Sequence, residues 1–305
     1  MNPMERAALA IGLSACCILL AGCGDSAPAK RADAGPRLTF GYDTAAPLQY
    51  VNRGRINLAT DRIAVDDVSF RSGRERIEGY LLLPPGRARR PAVVFVHGSG
   101  GDRRELLDRA GLLATRNIVT LTITEPSTSS PPRRGTGDAA AVLKQIEATQ
   151  IRDVVAVRRA VDLLRSLPQV DPRRIGYLGW SAGARTGTFV AASEPHVEAF
   201  VLLSAGAARI AAYVAGAPPS LRHALRLVLS SVDPIRYIAL AHPGSVLLED
   251  GTKDEIVPHA ALLNIVHAAP KGTTVRWYDA PHALDLPAYG DAFDWLVRKL
   301  RSPTG

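Results

Sequence analysis

From residue 93 onward the chain alternates short, continuously apolar runs with longer stretches in which apolar residues recur at helical spacing. The runs are Val93–Val96, Ile118–Ile123, Ile175–Gly179, Phe200–Leu203, Val246–Leu248 and Val275–Tyr278. A strand that is apolar on consecutive residues is covered on both faces, as in a parallel sheet between two helical layers. The helical stretches between the runs are Arg103–Arg116, Asp138–Leu167, Ala182–Ala192, His259–Ala268 and Ala288–Arg301. In the second, Ile151, Val154, Val157, Val161 and Leu164 fall on one face; in the last, Phe293, Leu296, Val297 and Leu300 do the same. Upstream, Ile63–Phe70 and Arg76–Leu83 flank the turn Arg71-Ser72-Gly73-Arg74 and predict an antiparallel hairpin. The expected architecture is an α/β fold with a mostly parallel, doubly wound sheet that opens on an antiparallel hairpin. No internal repeat is present.

At 305 residues, with 47% hydrophobic and 22% charged residues, the chain can bury a core without disulfides or a structural metal, and it is neither disordered nor fibrous. The net charge is +8, but only five of the 37 cations are Lys, and the arginines are scattered along the chain. A solvated basic surface is expected, and no nucleic-acid partner.

All three cysteines, Cys16, Cys17 and Cys23, lie in the first 23 residues, so the region beyond them has no thiol for a disulfide or a metal. Arg6 precedes an apolar stretch, Ala7–Leu20, too short to span a membrane but of the length of a signal-peptide core. It closes on Leu20-Ala21-Gly22-Cys23, which resembles the lipobox of bacterial lipoproteins. That resemblance implies a signal peptide over 1–22, diacylglycerol on Cys23, and an extracytoplasmic protein lipid-anchored to the bacterial cell membrane. Residues 23–60 then form a tether, small and polar to Pro36, and an N-terminal extension. Its aromatics Phe40, Tyr42 and Tyr50 show no period, and either clamp onto the domain or lie in a loop. Residues 61–305 are the folded domain, in which 204–243, rich in Ala and Leu, is either a helical cap over a pocket or a crossover helix with long loops.

The chemistry concentrates at strand ends. Ile175–Gly179 runs into Gly179-Trp180-Ser181-Ala182-Gly183, with a helical stretch immediately after. A turn that tight excludes side chains two residues either side of the serine, and it projects the Ser181 hydroxyl above a helix N-terminus, which favours developing negative charge. A serine nucleophile needs a base, and the base needs an orienting acid. After Val246–Leu248 comes Glu249-Asp250-Gly251-Thr252-Lys253-Asp254-Glu255-Ile256-Val257-Pro258, and after Val275–Tyr278 comes Asp279-Ala280-Pro281-His282. Both loops leave the C-terminal ends of strands, where α/β sheets place ligands. Asp254 and His282 are the candidate acid and base, with Asp250, Glu255 and Asp285 as rival acids. His97-Gly98-Ser99-Gly100-Gly101 follows Val93–Val96, and its glycines free backbone N–H groups to point at one oxygen.

Together these motifs resemble the α/β-hydrolases, closest to the dienelactone hydrolase and prolyl-oligopeptidase-like branch, over about Ile77–Leu300. The resemblance implies Ser181 as nucleophile, Asp254, in Gly-Thr-Lys-Asp-x-x-Val-Pro, as acid, and His282 as base. It implies an oxyanion hole from the amides of Ser99 and Ala182, with His97 ordering that loop and Gly98, Gly100 and Trp180 beside the substrate. The dienelactone enzymes proper use cysteine where this chain has Ser181, and too few residues precede the first strands for a propeller.

The expected activity is hydrolysis of a small carboxylic ester through an acyl-enzyme, without a cofactor or metal, falling as pH drops through the imidazole titration, near 6.5 for an unperturbed histidine. Trp180 and the apolar 204–243 segment point to a hydrophobic substrate. Arg133 and Arg134 are either a carboxylate contact or a solvated loop. Two other readings are a peptidase or amidase of the prolyl-oligopeptidase-like type and a non-catalytic binding lipoprotein on the same fold.

Overall fold

The computed structural model describes residues 37–56, 63–129, 139–207 and 210–301. The lipobox-like stretch with Cys23, the expected tether to Pro36 and the Arg133–Arg134 pair lie outside them.

Among the described residues nine strands form one sheet: β1 (Val51–Ile56), β2 (Ala64–Ser72), β3 (Glu75–Leu83), β4 (Arg90–Val96), β5 (Val119–Ile123), β6 (Val170–Trp180), β7 (Val197–Leu203), β8 (Val246–Gly251) and β9 (Thr274–Tyr278). Their order across the sheet is β1-β2-β3-β5-β4-β6-β7-β8-β9. The β2–β3 hairpin pairs Ala64 with Leu83 through to Ser72 with Glu75, and β3 is antiparallel to β5. From β5 to β9 every pairing is parallel.

The expected runs are all strands, and one strand is added. Residues 51–56 pair antiparallel with β2 as an edge strand with almost every residue exposed. The preceding segment clamps onto the domain. Phe40 is buried edge-on against Phe189 and Tyr237, with ring centroids 5.8 Å away in each case, and the Tyr42 hydroxyl donates to Asp162 at 2.9 Å.

Side chains of the central strands alternate between two cores, as the period of two requires. Val94 and Val96 face one side with Val154, Val157, Val161 and Phe189, residues of α3 (Ala139–Ser166) and α4 (Ala182–Ala191). Val93 and Phe95 face the other with Leu113, Phe293 and Leu296, from α1 (Leu107–Ala114) and α9 (Leu286–Arg301). The short α2 (Pro126–Ser129) follows β5, and α8 (His259–Ala268) joins β8 to β9. Helix α1 is shorter than the predicted 103–116. Asp102 caps the turn before it by accepting from the Arg104 amide at 2.8 Å, and Asn117, at φ 66°, ends the segment in the left-handed conformation that asparagine tolerates.

Between β7 and β8 run α5 (Ile210–Gly216), α6 (Pro219–Ser231) and α7 (Ile235–Ile238). The first two have an apolar cluster of their own, Val214, Ala217, Leu225 and Leu229, with Ile146 of α3 packed against it, whereas Tyr237 and Ile238 of α7 rejoin the main core. The segment is thus a helical insertion rather than a single crossover helix. No helix among the described residues is long and apolar enough to cross a membrane.

Candidate active site

The chain enters the parallel sheet at β4, crosses to β5 on one side, and returns to build β6 to β9 on the other. The winding direction reverses between β4 and β6, and the C-terminal ends of these strands are where such a sheet places its ligand crevice. The His97–Gly101 loop leaves the first of these strands and Ser181 the second.

Ser181 sits at φ 54° and ψ −110°, a conformation costing of order 1–3 kcal/mol that persists only where its surroundings enforce it. The enforcement is visible. The Ser181 amide donates to the Leu203 carbonyl at 2.8 Å, its carbonyl accepts from the Arg185 amide at 3.0 Å as α4 begins, and the Gly183 amide donates to the His97 carbonyl at 3.0 Å. A Cβ on Gly179 would lie 2.5 Å from the Gly183 backbone, and one on Gly183 would lie 2.3 Å from the Val96 carbonyl oxygen. These two contacts are the physical content of the glycine requirement read in the sequence.

The structure brings Ser181, His282 and Asp254 into one hydrogen-bonded chain. His282 Nε2 is 2.9 Å from Ser181 Oγ, and His282 Nδ1 is 2.8 Å from Asp254 Oδ2. The Asp254 side chain is only 1% exposed, but its other oxygen accepts from the amides of Ile256 and Val257 at 2.9 and 2.8 Å. These donors satisfy a carboxylate rather than a carboxylic acid. The rival acids accept from backbone amides instead. Glu255 accepts from the His282 amide at 3.4 Å, Asp285 accepts from the Ala288 amide at the start of α9 at 3.3 Å, and Asp250 is buried beside Asp254 with the Ala205 amide as its donor.

The carbonyl of His282 is held from two sides, by the Trp180 indole N–H at 3.1 Å and by the Ser204 hydroxyl at 3.0 Å. The Trp180 and His282 rings also pack with centroids 5.4 Å apart. Trp180, expected beside the substrate, therefore spends its polar atom on His282 and lays its ring against Gly98, where a Cβ would meet it at 2.8 Å.

Of the glycine loop, Gly98 donates its amide to Glu105 Oε2 at 2.7 Å. The same carboxylate fills the curl of the loop, 2.4 Å from where a Cβ on Gly101 would stand. Gly100 has φ 74° and open space around its Cα. His97 is buried, with Nδ1 2.7 Å from the Gly98 carbonyl and Nε2 accepting from the Glu125 amide at 3.0 Å. An accepting Nε2 places the proton on Nδ1, so His97 is a neutral strut with both nitrogens engaged. Beneath it, burial pushes the carboxyls of Glu125 and Asp153 well up from the usual range, and for Asp153 the nearby Glu125 charge adds to the shift. Ser99 stands in the loop between Gly98 and Gly100, and Ala182 is the first residue of α4, where an amide has no intrahelical acceptor.

Sequence reasoning missed Ser204 and Glu105. Ser204 carried a signal: a polar residue directly after an apolar strand, at the sheet edge where the other site residues lie. Glu105 carried none, because its role depends on a loop folding back toward it. The remaining histidines are apart from this chain; His196, for example, pairs with Glu194 at 2.7 Å, and His259 stacks near Trp277. No group of three or more metal-ligating side chains occurs among the described residues.

This sheet, with a serine elbow after one central strand and an acid and a histidine after two later ones, is an α/β-hydrolase fold. Comparison with known proteins agrees. Residues 157–223 match the family described as BAAT / acyl-CoA thioester hydrolase C terminal. Among solved structures, acetyl xylan esterase 1 from a Thermoanaerobacterium species superposes with a TM-score of 0.69 at 15% identity, over 84% of this chain and 89% of that one. An acetyl xylan esterase from a Paenibacillus species gives 0.67 at 17% identity, over 88% and 97%. A Klebsiella pneumoniae protein described as a dienelactone hydrolase gives 0.59 at 17% identity, over 79% and 99%. No curated protein matches the chain by sequence.

Proposed function

We propose that this chain is a serine hydrolase that cleaves carboxylic esters through an acyl-enzyme. The observation that carries the reading is the unbroken chain Asp254–His282–Ser181, with the serine in an enforced, strained turn. With Asp254 ionised, Nδ1–H of His282 donates to it, which leaves Nε2 to accept from the Ser181 hydroxyl. Ser181 Oγ attacks the ester carbonyl carbon while its proton passes to Nε2. The imidazolium then gives that proton to the departing alkoxide. Water, deprotonated by the same nitrogen, attacks the acyl-enzyme, and its proton returns to Ser181 as the acid leaves. The amides of Ser99 and Ala182 are assigned to the oxyanion, and losing one such donor costs about 3–4 kcal/mol of barrier.

Esters are preferred over amides because the structural neighbours include two acetyl xylan esterases. The helical insertion over 204–243 is assigned to the acyl side of the pocket. Its first residues are pinned to the loop that carries Asp254 and to the helix after it: Gly206 abuts Val257, and the Ala207 amide donates to the carbonyl of Ala261 in α8 at 3.0 Å. Hydrolysis of p-nitrophenyl esters from acetate to octanoate, beside the matching anilides, tests both points. Turnover of short esters far above the anilides supports the reading, and anilide turnover at comparable rates replaces it with a peptidase or amidase. Lipid attachment at Cys23 is proposed on the sequence alone; retention of the chain in bacterial membranes, and its release by Cys23→Ala, tests it.

A further inference from the structure

We propose that Tyr237 is a positioning residue for the helical insertion, and that the segment 37–50, which fastens Tyr237, thereby takes part in selecting the acyl chain. The geometry stands by itself. The consequence for substrates rests on the reading of the chain as an esterase with the insertion on the acyl side.

Helices α5 and α6 share a small core of their own, Val214, Ala217, Leu225 and Leu229, backed by Ile146 of α3. Of α6 only Leu225, Leu229, Ser230 and Ser231 are buried. Elements with so little buried apolar contact open at low cost, so their placement is decided by how their ends are fastened. The last carbonyls of a helix have no intrahelical donor, and in α6 side chains of α7 take them. Arg236 donates to the Ser230 carbonyl at 2.8 Å, and the Tyr237 hydroxyl donates to the Ser231 carbonyl at 2.6 Å. The Ser231 hydroxyl lies 2.5 Å from Glu147 Oε1 of α3.

Tyr237 is itself held by the N-terminal segment. Its hydroxyl accepts from the Leu38 amide at 2.7 Å. Its ring closes a triangle with Phe40, 5.8 Å away between centroids, and Phe189, 4.4 Å away. Phe189 belongs to α4, the helix that begins immediately after Ser181. The segment is gripped along its length by α3: Arg158 donates to the Phe40 carbonyl at 2.6 Å, Arg159 donates to the Ala46 carbonyl at 2.7 Å, and Asp162 accepts from the Tyr42 hydroxyl at 2.9 Å. At its far end the Leu48 carbonyl accepts from the Arg71 amide of β2 at 2.7 Å. One buried tyrosine thus joins a strap anchored on α3 and β2, the end of α6, and the helix behind the candidate nucleophile.

Tyr237→Phe keeps the ring triangle and removes the hydroxyl, so the Leu38 amide and the Ser231 carbonyl lose their partner together. The end of α6 is then freed, and the surface that the insertion offers a long acyl chain is no longer fixed before binding. An acetyl group is too short to use that surface, so its hydrolysis is the internal control.

The test is hydrogen exchange followed by mass spectrometry on the full chain and on Tyr237→Phe, beside steady-state hydrolysis of p-nitrophenyl acetate and octanoate. Exchange in α6 should be about 3- to 10-fold faster in the variant, with the central strands β4 and β6 unchanged. KM for the octanoate should rise at least about threefold, with kcat and the acetate kinetics held. Leu38→Pro, which deletes the amide donor from the other side of the same contact, should reproduce both effects, and serves if Tyr237→Phe does not fold. Unchanged exchange in α6, or acceleration spread evenly over the whole chain, overturns the positioning role. Faster exchange in α6 with an unaltered octanoate-to-acetate ratio overturns the role in acyl selection. A chain that hydrolyses neither ester, yet shows the exchange effect, keeps the positioning role and refutes the esterase reading instead.

Discussion

The indole N–H of Trp180 donates to the backbone carbonyl of His282 at 3.1 Å, so the residue before the candidate nucleophile holds the residue proposed as its base. The two are 102 positions apart in sequence, and the bond ties the strained turn at the end of β6 to the loop after β9. The Ser204 hydroxyl shares that carbonyl at 3.0 Å. The proposed catalysis would depend on close mutual placement of the serine and histidine, and this double anchor fixes the backbone of His282 from two sides.

Trp180→Phe keeps an aromatic ring against Gly98 and removes only the donor. A hydrogen bond of this kind is worth about 0.5–1.5 kcal/mol, so kcat for ester hydrolysis should fall roughly 3- to 10-fold with KM little changed. A rise in KM at constant kcat would instead place Trp180 in substrate binding. Steady-state kinetics on one ester separates the two outcomes.

Glu105 is exposed as a residue, but its carboxylate accepts from the Gly98 amide at 2.7 Å and shapes the loop assigned to the oxyanion. Glu105→Ala should lower kcat by about tenfold, while Glu105→Gln, which still offers an acceptor oxygen, should retain most of it. Equal activity in both variants would separate Glu105 from the oxyanion loop.

Gly183→Ala puts a methyl 2.3 Å from the Val96 carbonyl oxygen, backbone that cannot swing aside. The expected cost is about 3 kcal/mol or more of stability, read as an earlier urea midpoint. Gly216→Ala, where nothing lies within 4 Å of the added carbon, serves as the control and should leave the midpoint within experimental error.

Glu249 is fully buried, with its Oε2 lacking a partner among the described residues, and burial pushes its carboxyl up to about 8 against the hydrogen bonds from Tyr278 and Arg276. Its pKa in the folded chain exceeds that in the unfolded chain, near 4.3, so the folded state holds a proton that the unfolded state releases. The stability this confers is complete below about pH 4 and is lost as pH rises through about 8. Glu249→Gln should therefore flatten the alkaline decline of Tm, by about 2–4 °C for each kcal/mol of relief at pH 9. Parallel Tm–pH curves for the two proteins would contradict this.

The parallel sheet was legible because its strands are buried on both faces and read as unbroken apolar runs. β1 was not, because Val51–Ile56 is an exposed edge strand carrying Asn52, Arg53 and Arg55, and only pairing with β2 makes it a strand. The start of β6 was hidden too. Asp171-Pro172-Arg173-Arg174 interrupts the apolar run, and the pairing with β4 shifts register there. The juxtaposition of Ser181, Asp254 and His282 could be anticipated because each follows an apolar strand, at the one edge where such a sheet gathers its loops. Trp180, Ser204 and Glu105 act through contacts between segments remote in sequence, and no local spacing encodes those.

The most direct test of the central claim is intact mass of the purified chain after exposure to a fluorophosphonate, beside Ser181→Ala treated identically. One adduct per chain is expected, absent in Ser181→Ala, together with a loss of ester turnover of at least about 10⁴-fold in that variant at unchanged Tm. Well-folded chain that takes up no adduct and turns over no ester would contradict it, and would leave a binding protein built on a hydrolase fold.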